Sequence, residues 1–163
     1  MVFNLKPGLS VGIVDLGEDR NTVRQKLNMP YREDVSEFME TKEYLDMFGE
    51  NDIKAIYEED KLVAIEFYDG EVLFNEIDVF NTDVRVLLSE LKKTDAAIEI
   101  TDAEFTSKAG IMGIYDDEEE LLSSIMICTK EYCIRPVKEY TTAEIEQWLT
   151  SEKGQDFLKK VNN

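Results

Sequence analysis

One local pattern occurs twice in this chain, some sixty residues apart, and it restricts the architecture more than any single motif does. Ile13-Val14-Asp15-Leu16 leads into Gly17-Glu18-Asp19 and a helical pattern with Val23 and Leu27 four apart on one face. The pattern returns as Ile77-Asp78-Val79-Phe80, then Asn81-Thr82-Asp83, then Val84, Leu87, Leu88 and Leu91. That stripe has the i, i+3, i+4, i+7 spacing of an amphipathic helix behind a polar N-cap. Strands follow each helix. Residues Asp52 to Glu59 and Lys61 to Asp69 read as two strands joined around Glu59-Asp60, with Val63, Ile65 and Phe67 alternating toward a core. In the second half Ile111 to Tyr115 runs through Asp116-Asp117-Glu118-Glu119-Glu120 into Ser124 to Lys130, with Ile125 and Ile127 inward. The words Ile56-Tyr57-Glu58-Glu59 and Ile114-Tyr115-Asp116-Asp117 answer one another.

A helix followed by antiparallel strands, written twice, predicts an α+β fold: one antiparallel sheet with helices on one face and the other face open. The expected organisation is a single domain over 1–163, with a first unit at 1–75, a second at 76–135 and a helical tail at 136–163. On the strand from Lys61 to Asp69, Leu62, Ala64, Glu66 and Tyr68 fall on the open side, a mixed polar and aromatic surface suited to contacts. In the tail, Thr141-Thr142-Ala143-Glu144 has the form of a capping box. Ile145, Trp148 and Leu149 share a face behind it, and a second stripe of Phe157, Leu158 and Val161 follows Lys153-Gly154. Trp148 reads as an anchor for the tail, with a partner-facing role as the alternative. The stretch 29–50 is not legible: Pro30 ends the first helix, and Val35, Phe38, Met39, Leu45 and Phe48 suit a further helix or a long excursion.

Charge narrows function. Thirty-six acidic residues against eighteen basic ones, with no histidine, give a net charge of -18. The commonest general base and metal ligand are missing, and the field attracts cations and basic proteins while repelling phosphate backbones. The pairs Lys92-Lys93 and Lys159-Lys160 stand near predicted helix C-termini, where cations suit the helix dipole, rather than in a basic stripe. Nucleic acid is therefore not an expected partner. No G-x-S-x-G, P-loop or G-x-G-x-x-G is present. The glycines of Gly110-Ile111-Met112-Gly113 lie in a strand pattern, where glycine marks a bulge or close packing. Asp116 to Glu120 lacks the alternating ligands and central glycine of a calcium loop, and reads as a solvated turn. Neither an enzyme activity, a cofactor nor a metal is expected. Cys128 and Cys133 are five apart, point to opposite faces of a continuous strand, and are expected as free thiols. No apolar run reaches signal-peptide or membrane-span length, so the expected location is the cytoplasm.

Gly12-Ile13-Val14-Asp15-Leu16-Gly17 followed by Arg20-Asn21-Thr22-Val23-Arg24-Gln25-Lys26-Leu27 resembles the opening "G-x-I-x-L-G-x-x-R-x-x-V-x-x-x-L" of small bacterial domains with the β-lactamase-inhibitor-protein-like fold. Asn28 stands where that family has a glycine. Lys61-Leu62-Val63-Ala64-Ile65-Glu66-Phe67, Glu71-Val72-Leu73-Phe74-Asn75 and Thr106-Ser107-Lys108-Ala109-Gly110-Ile111 resemble a group of bacterial cytosolic proteins, some of which look like immunity proteins encoded beside secreted toxins. The resemblance implies tandem helix-plus-sheet units and a protein-binding role, and it carries over no catalytic residue.

The function expected from these observations is a non-catalytic, acidic, cytoplasmic protein that binds and occludes a basic toxin domain, such as a nuclease with a phosphate-accepting cleft. The expected contact residues are Glu58, Glu59, Glu66, Tyr68, Asp69, Asp116, Asp117, Glu118 and Glu119, on the open face or the turns joining its strands. The alternative is a housekeeping scaffold or regulatory module that holds a peptide on the same face, with acidity serving solubility. An unpaired strand edge also leaves self-association open.

Overall fold

The computed structural model describes residues 1–163 except 51, 117, 119, 137 and 163. In chain order the elements are β1 (Val2–Lys6), β2 (Ser10–Val11), β3 (Val14–Asp15), α1 (Arg20–Leu27), β4 (Tyr31–Phe38), β5 (Thr41–Phe48), β6 (Ile53–Glu58), β7 (Lys61–Phe67), β8 (Glu71–Phe74), β9 (Ile77–Asp78), α2 (Val84–Thr94), β10 (Glu99–Ile100), β11 (Glu104–Ser107), β12 (Ile111–Asp116), β13 (Leu121–Cys128), α3 (Lys130–Cys133), α4 (Thr142–Leu149) and α5 (Glu152–Val161). Among the described residues they form an eight-stranded sheet, β10-β11-β12-β13-β7-β6-β5-β4, and a five-stranded sheet, β3-β2-β1-β8-β9. The fold is α+β, and the second sheet is an addition to the single sheet expected from the sequence.

The tandem pattern is physical. β2-β3-α1-β4-β5-β6-β7 and β8-β9-α2-β10-β11-β12-β13 repeat element for element, and β7 pairs antiparallel with β13 to join the two copies in the large sheet. β1 stands outside the repeat, antiparallel to β2 and parallel to β8. Each helix has an aspartate N-cap, Asp19 accepting from the Thr22 N–H and Asp83 from the Arg85 N–H. Each also rests on the turn of its own hairpin. The Arg20 N–H donates to the Asp60 carbonyl at 3.1 Å, and the Val84 N–H donates to the Glu120 carbonyl at 2.9 Å. Both turn residues are left-handed, at φ 63° and 59°. An orphan N–H at each helix start is thereby satisfied by the strands the helix must cover.

Both hairpins carry a bulge at the same place, after Ile56 and after Ile114, so that Tyr57 pairs with Leu62 and Tyr115 with Leu122. The extra residues are Val63 and Ser123. This corrects the strict alternation expected on β7: the bulge sends Leu62 into the main core and puts Val63 on the open side with Ala64 and Glu66. On the helix side Val23, Leu27, Val84, Leu87 and Leu91 pack with Tyr57, Leu62, Ile65, Phe67, Ile125 and Ile127, and the small sheet adds Phe3, Leu5 and Phe74. An eight-residue helix such as α1 is marginal alone. The buried Val23 and Leu27, each worth about 1.5–3 kcal/mol of transfer free energy, hold it in place.

Residues 29–50 form the hairpin β4-β5, not a helix or an excursion. Asn28, at φ 48°, closes α1 in the left-handed conformation, which asparagine tolerates. Met39, at φ 56°, takes the turn. The hairpin is hidden in the sequence because β4 is an edge strand with little burial on either face and its turn lacks glycine or asparagine.

The capping box is present as expected, with Thr141 accepting from the Glu144 N–H and Glu144 from the Thr141 N–H. The break between α4 and α5 lies at Thr150-Ser151 rather than at Lys153-Gly154. Gly154 is inside α5, where a Cβ would sit 2.6 Å from the Leu149 Cα. Trp148 packs edge-on against Phe38 of β4 at 5.2 Å between centroids and against Phe157 at 5.4 Å, anchoring the tail on the sheet edge. The Lys160 ammonium donates to the Val35 carbonyl, so α5 also shields part of the β4 edge.

Gly110 fixes the two sheets together. Its carbonyl accepts from the Gly8 N–H at 3.2 Å and the Cys128 N–H at 3.1 Å, and its φ is 102°. A Cβ there would collide with the Cys128 carbonyl oxygen and come within 2.6 Å of the Gly8 Cα. Gly110→Ala should cost about 2 kcal/mol or more, from left-handed strain plus the backbone clash. A urea-unfolding midpoint equal to that of the unaltered protein would show that the backbones need not approach so closely.

Candidate functional site

The face of the large sheet turned away from α1 and α2 is built in rows, because paired residues on neighbouring strands point the same way. One row crosses the whole sheet as Arg32, Met47, Lys54, Glu66, Met126, Met112, Thr106 and Glu99. On one side of it lies Asp34, Leu45, Ile56, Ala64 and Cys128, whose inner members are packed beneath Tyr132 and Cys133 of α3. On the other side Ser124, Ile114 and Glu104 form a row, and Tyr68, the residue after β7, follows the Phe67–Ile125 pair at the same level. Ile114 is 49% exposed and Tyr68 40% exposed, while Glu66 beside them is only 8% exposed. The Tyr68 hydroxyl donates to Glu66 Oε2 at 2.7 Å, and the Lys54 ammonium stands 3.5 Å from the same oxygen. Burial, then the Glu66 carboxylate, push the Tyr68 phenol well above its ordinary pKa. Tyr68 is thus held as a donor at neutral pH.

The residues expected to contact a partner do not form one patch. Glu66 and Tyr68 are hydrogen-bonded neighbours in the middle of the open face. Phe67 pairs with Ile125, so Asp69 and the β12–β13 turn with Asp116 and Glu118 lie toward the same end of the sheet. All three are exposed. Glu58 and Glu59 lie at the opposite end, roughly 20 Å away along β7 at about 3.3 Å per residue. Glu58 is engaged: Arg135 pairs with it, and this hydrogen bond raises the Arg135 pKa. Asp117 and Glu119 lie outside the described residues.

A charged cluster not anticipated from the sequence sits on the helix side. Asp46, on β5, has a fully buried side chain and accepts from Arg20 Nη2 at 2.6 Å and from Arg24 Nε and Nη2 at 2.8 Å. Arg24 also pairs with Glu33 at 2.8 Å and stacks over Tyr31, 4.3 Å from the ring centroid. Arg20 lies 5.0 Å over Tyr57. Burial raises the Asp46 pKa, but hydrogen bonds from Arg24 and Arg20 outweigh it and leave the carboxyl below its ordinary range. These contacts clamp α1 to β5. The i, i+4 spacing of Arg20 and Arg24 was the available signal, and their common partner comes from the hairpin that the sequence hid.

Two further features lie apart. A cleft of about 330 Å³ opens between the small sheet, α2 and β11, with Leu5, Phe74, Leu91 and Ile111 as walls and Asp95, hydrogen-bonded by the Ser107 hydroxyl, at its edge. Cys128 and Cys133 are free, as expected, but the chain turns at the Thr129 N-cap, so both thiols return to one cluster instead of facing opposite ways. Among the described residues no group of histidine, cysteine or acidic side chains is arranged to hold a metal, and no helix is long and apolar enough to cross a membrane.

No protein-family profile matches the chain, and no curated protein matches it. A 1.5 Å crystal structure of an extracellular protein containing an SCP domain, from Bacillus anthracis str. Ames, is similar over 81% of this chain, with a TM-score of 0.47 and 10% identity. This chain spans 52% of that one. The likeness transfers no residue role.

Since the Asp46 carboxyl is depressed in the folded state, its stabilisation is present above the ordinary carboxylate pKa of about 4 and is lost as pH falls through the folded value. Asp46→Asn should cost about 3–5 kcal/mol at pH 7, because it leaves two partly buried guanidinium groups short of their acceptor. The gap between the two proteins should narrow below about pH 4. Urea unfolding at pH 7, 4 and 3 measures it, and a gap independent of pH would assign the cost to packing instead.

Proposed function

We propose that this chain is a non-catalytic binding module whose open sheet face holds a positively charged protein, and that it serves in the cytoplasm as an immunity protein occluding a bacterial toxin. The observation that carries the reading is the open face itself. Met112, Met126, Ile114 and Tyr68 surround the nearly buried Glu66, and Asp69, Asp116 and Glu118 stand toward one end of the sheet. Its chemistry matches a protein interface: adaptable methionines and an aromatic supply contact area, while carboxylates set the sign of the partner. A net charge of -18 adds long-range attraction for a basic surface and repels a phosphate polyanion. A toxin cleft that accepts phosphates presents such a positive surface. Carboxylates seated in it exclude substrate without chemistry, and steering raises the rate of encounter. The resemblance of the β7 segment to a group of bacterial proteins, some of which look like immunity proteins, supports the same reading.

The natural test partner is the product of a neighbouring gene with a secretion-type N-terminus and a variable C-terminal domain. Co-expression should yield an equimolar complex. Asp69→Lys, Asp116→Lys and Glu118→Lys together should slow association by about tenfold or more at low salt and flatten its salt dependence. Stopped-flow association rates unchanged by the three reversals would remove this end of the sheet from the interface. A neighbourhood of metabolic genes, with no complex formed, would favour a housekeeping scaffold.

A further inference from the structure

We propose that the open face carries a receptor for a single arginine side chain of the partner, with Glu66 as its acceptor; this rests on the protein-binding reading above and specifies what the face recognises. A cavity of about 80 Å³ lies between the central row and the Ile114 row, lined by Glu66, Met112, Met126, Ile114 and Ser124, with Glu104 and Thr106 at the β11 side. That volume suits a head group rather than a whole small molecule, for which pockets run to about 300 Å³ or more.

The wall chemistry selects the head group. Glu66 is only 8% exposed, so little solvent reaches its carboxylate. Both hydrogen bonds to Glu66 fall on Oε2, from Tyr68 at 2.7 Å and Lys54 at 3.5 Å, and Oε1 accepts none among the described residues. The Lys54 contact is long for an ion pair and is directed across the strand pair from β6, on the side of Glu66 away from Met126. A visiting cation therefore meets one unused oxygen and one weakly used one. A guanidinium presents two parallel N–H groups to such a carboxylate and is more weakly hydrated than an ammonium, so it loses less on entering a site that admits little water. The methylene stem of arginine matches the remaining walls, Met112, Met126 and Ile114, along which a long basic side chain can lie. The two methionines are paired across β12 and β13 and have the flexibility to close on it. The charge of the whole chain favours the same occupant.

The test uses the full chain with methyl-labelled methionine and, as probe, Nα-acetyl-arginine N-methylamide, with the norleucine analogue as the uncharged control. The Met112 and Met126 methyl resonances should shift saturably with the arginine amide and not with the norleucine amide. Glu66→Gln, which keeps the size of the side chain and an acceptor for Tyr68, should weaken binding by about tenfold or more. Lys54→Met removes the competing ammonium and should strengthen it, which keeps the proposal testable if Glu66→Gln does not fold. Absence of saturable shifts overturns the proposal, as do equal shifts with norleucine amide or an affinity unaltered in Glu66→Gln and Lys54→Met. If the cavity fails while the charge reversals at Asp69, Asp116 and Glu118 still slow a partner, only the arginine receptor is withdrawn. If the cavity binds the probe while no protein partner depends on this face, the receptor stands for small guanidinium ligands and the protein-binding reading falls.

Discussion

Four residue pairs between β7 and β13 hold this molecule in its form: Phe67 with Ile125, Glu66 with Met126, Ile65 with Ile127 and Ala64 with Cys128. They join two copies of one helix-and-hairpin unit into a continuous sheet. On one face the seam puts Phe67, Ile65, Ile125 and Ile127, all fully buried, under the helices and the small sheet. On the other face the same pairs put Glu66 beside Met126 and form one side of the cavity. A shift of one residue would exchange the two sets and expose the core, so the register that stabilises the fold also creates the surface proposed for binding.

The charge of the chain is distributed according to solvation. Where a carboxylate is fully buried, as at Asp46, two arginines from α1 satisfy it and the cluster does structural work. Where carboxylates are exposed, as at Asp116 and Glu118, they contribute to a long-range field that any cationic surface meets before contact. Glu66 is intermediate: buried almost as deeply as Asp46, it lacks a comparable set of donors. That difference in satisfaction, rather than the number of acids, is the ground on which Glu66 is proposed as a site.

Much of the fold could be read locally. The N-caps Asp19 and Asp83, the stripe from Val84 to Leu91, the capping box at Thr141 and Glu144, and the paired hairpins all depend on residues within a few positions of each other. The hairpin β4-β5 was missed because its outer strand meets solvent on much of its surface, which erases the period-two pattern. The bulges at Val63 and Ser123 were missed because a bulge inserts one residue without any compositional mark, and each reverses the facing of the residues next to it. The open face was anticipated through Glu66 and Tyr68. Its other members, Met112, Met126, Ile114 and Glu104, come from strands about forty to sixty residues away, whose register no local pattern reports.

What the sequence by itself determined was the α+β class, the tandem plan, the N-caps that open α1, α2 and α4 and the sign of the field, since each of these follows from short-range periodicity, capping chemistry or a simple sum of charges. What only the tertiary structure decided was the second sheet, the seam at β7 and β13, the burial of Asp46 between two arginines and the cavity beside Glu66. Those depend on which distant strands pair and in which register, and pairing is settled by the burial of whole faces at once rather than by any residue's preference.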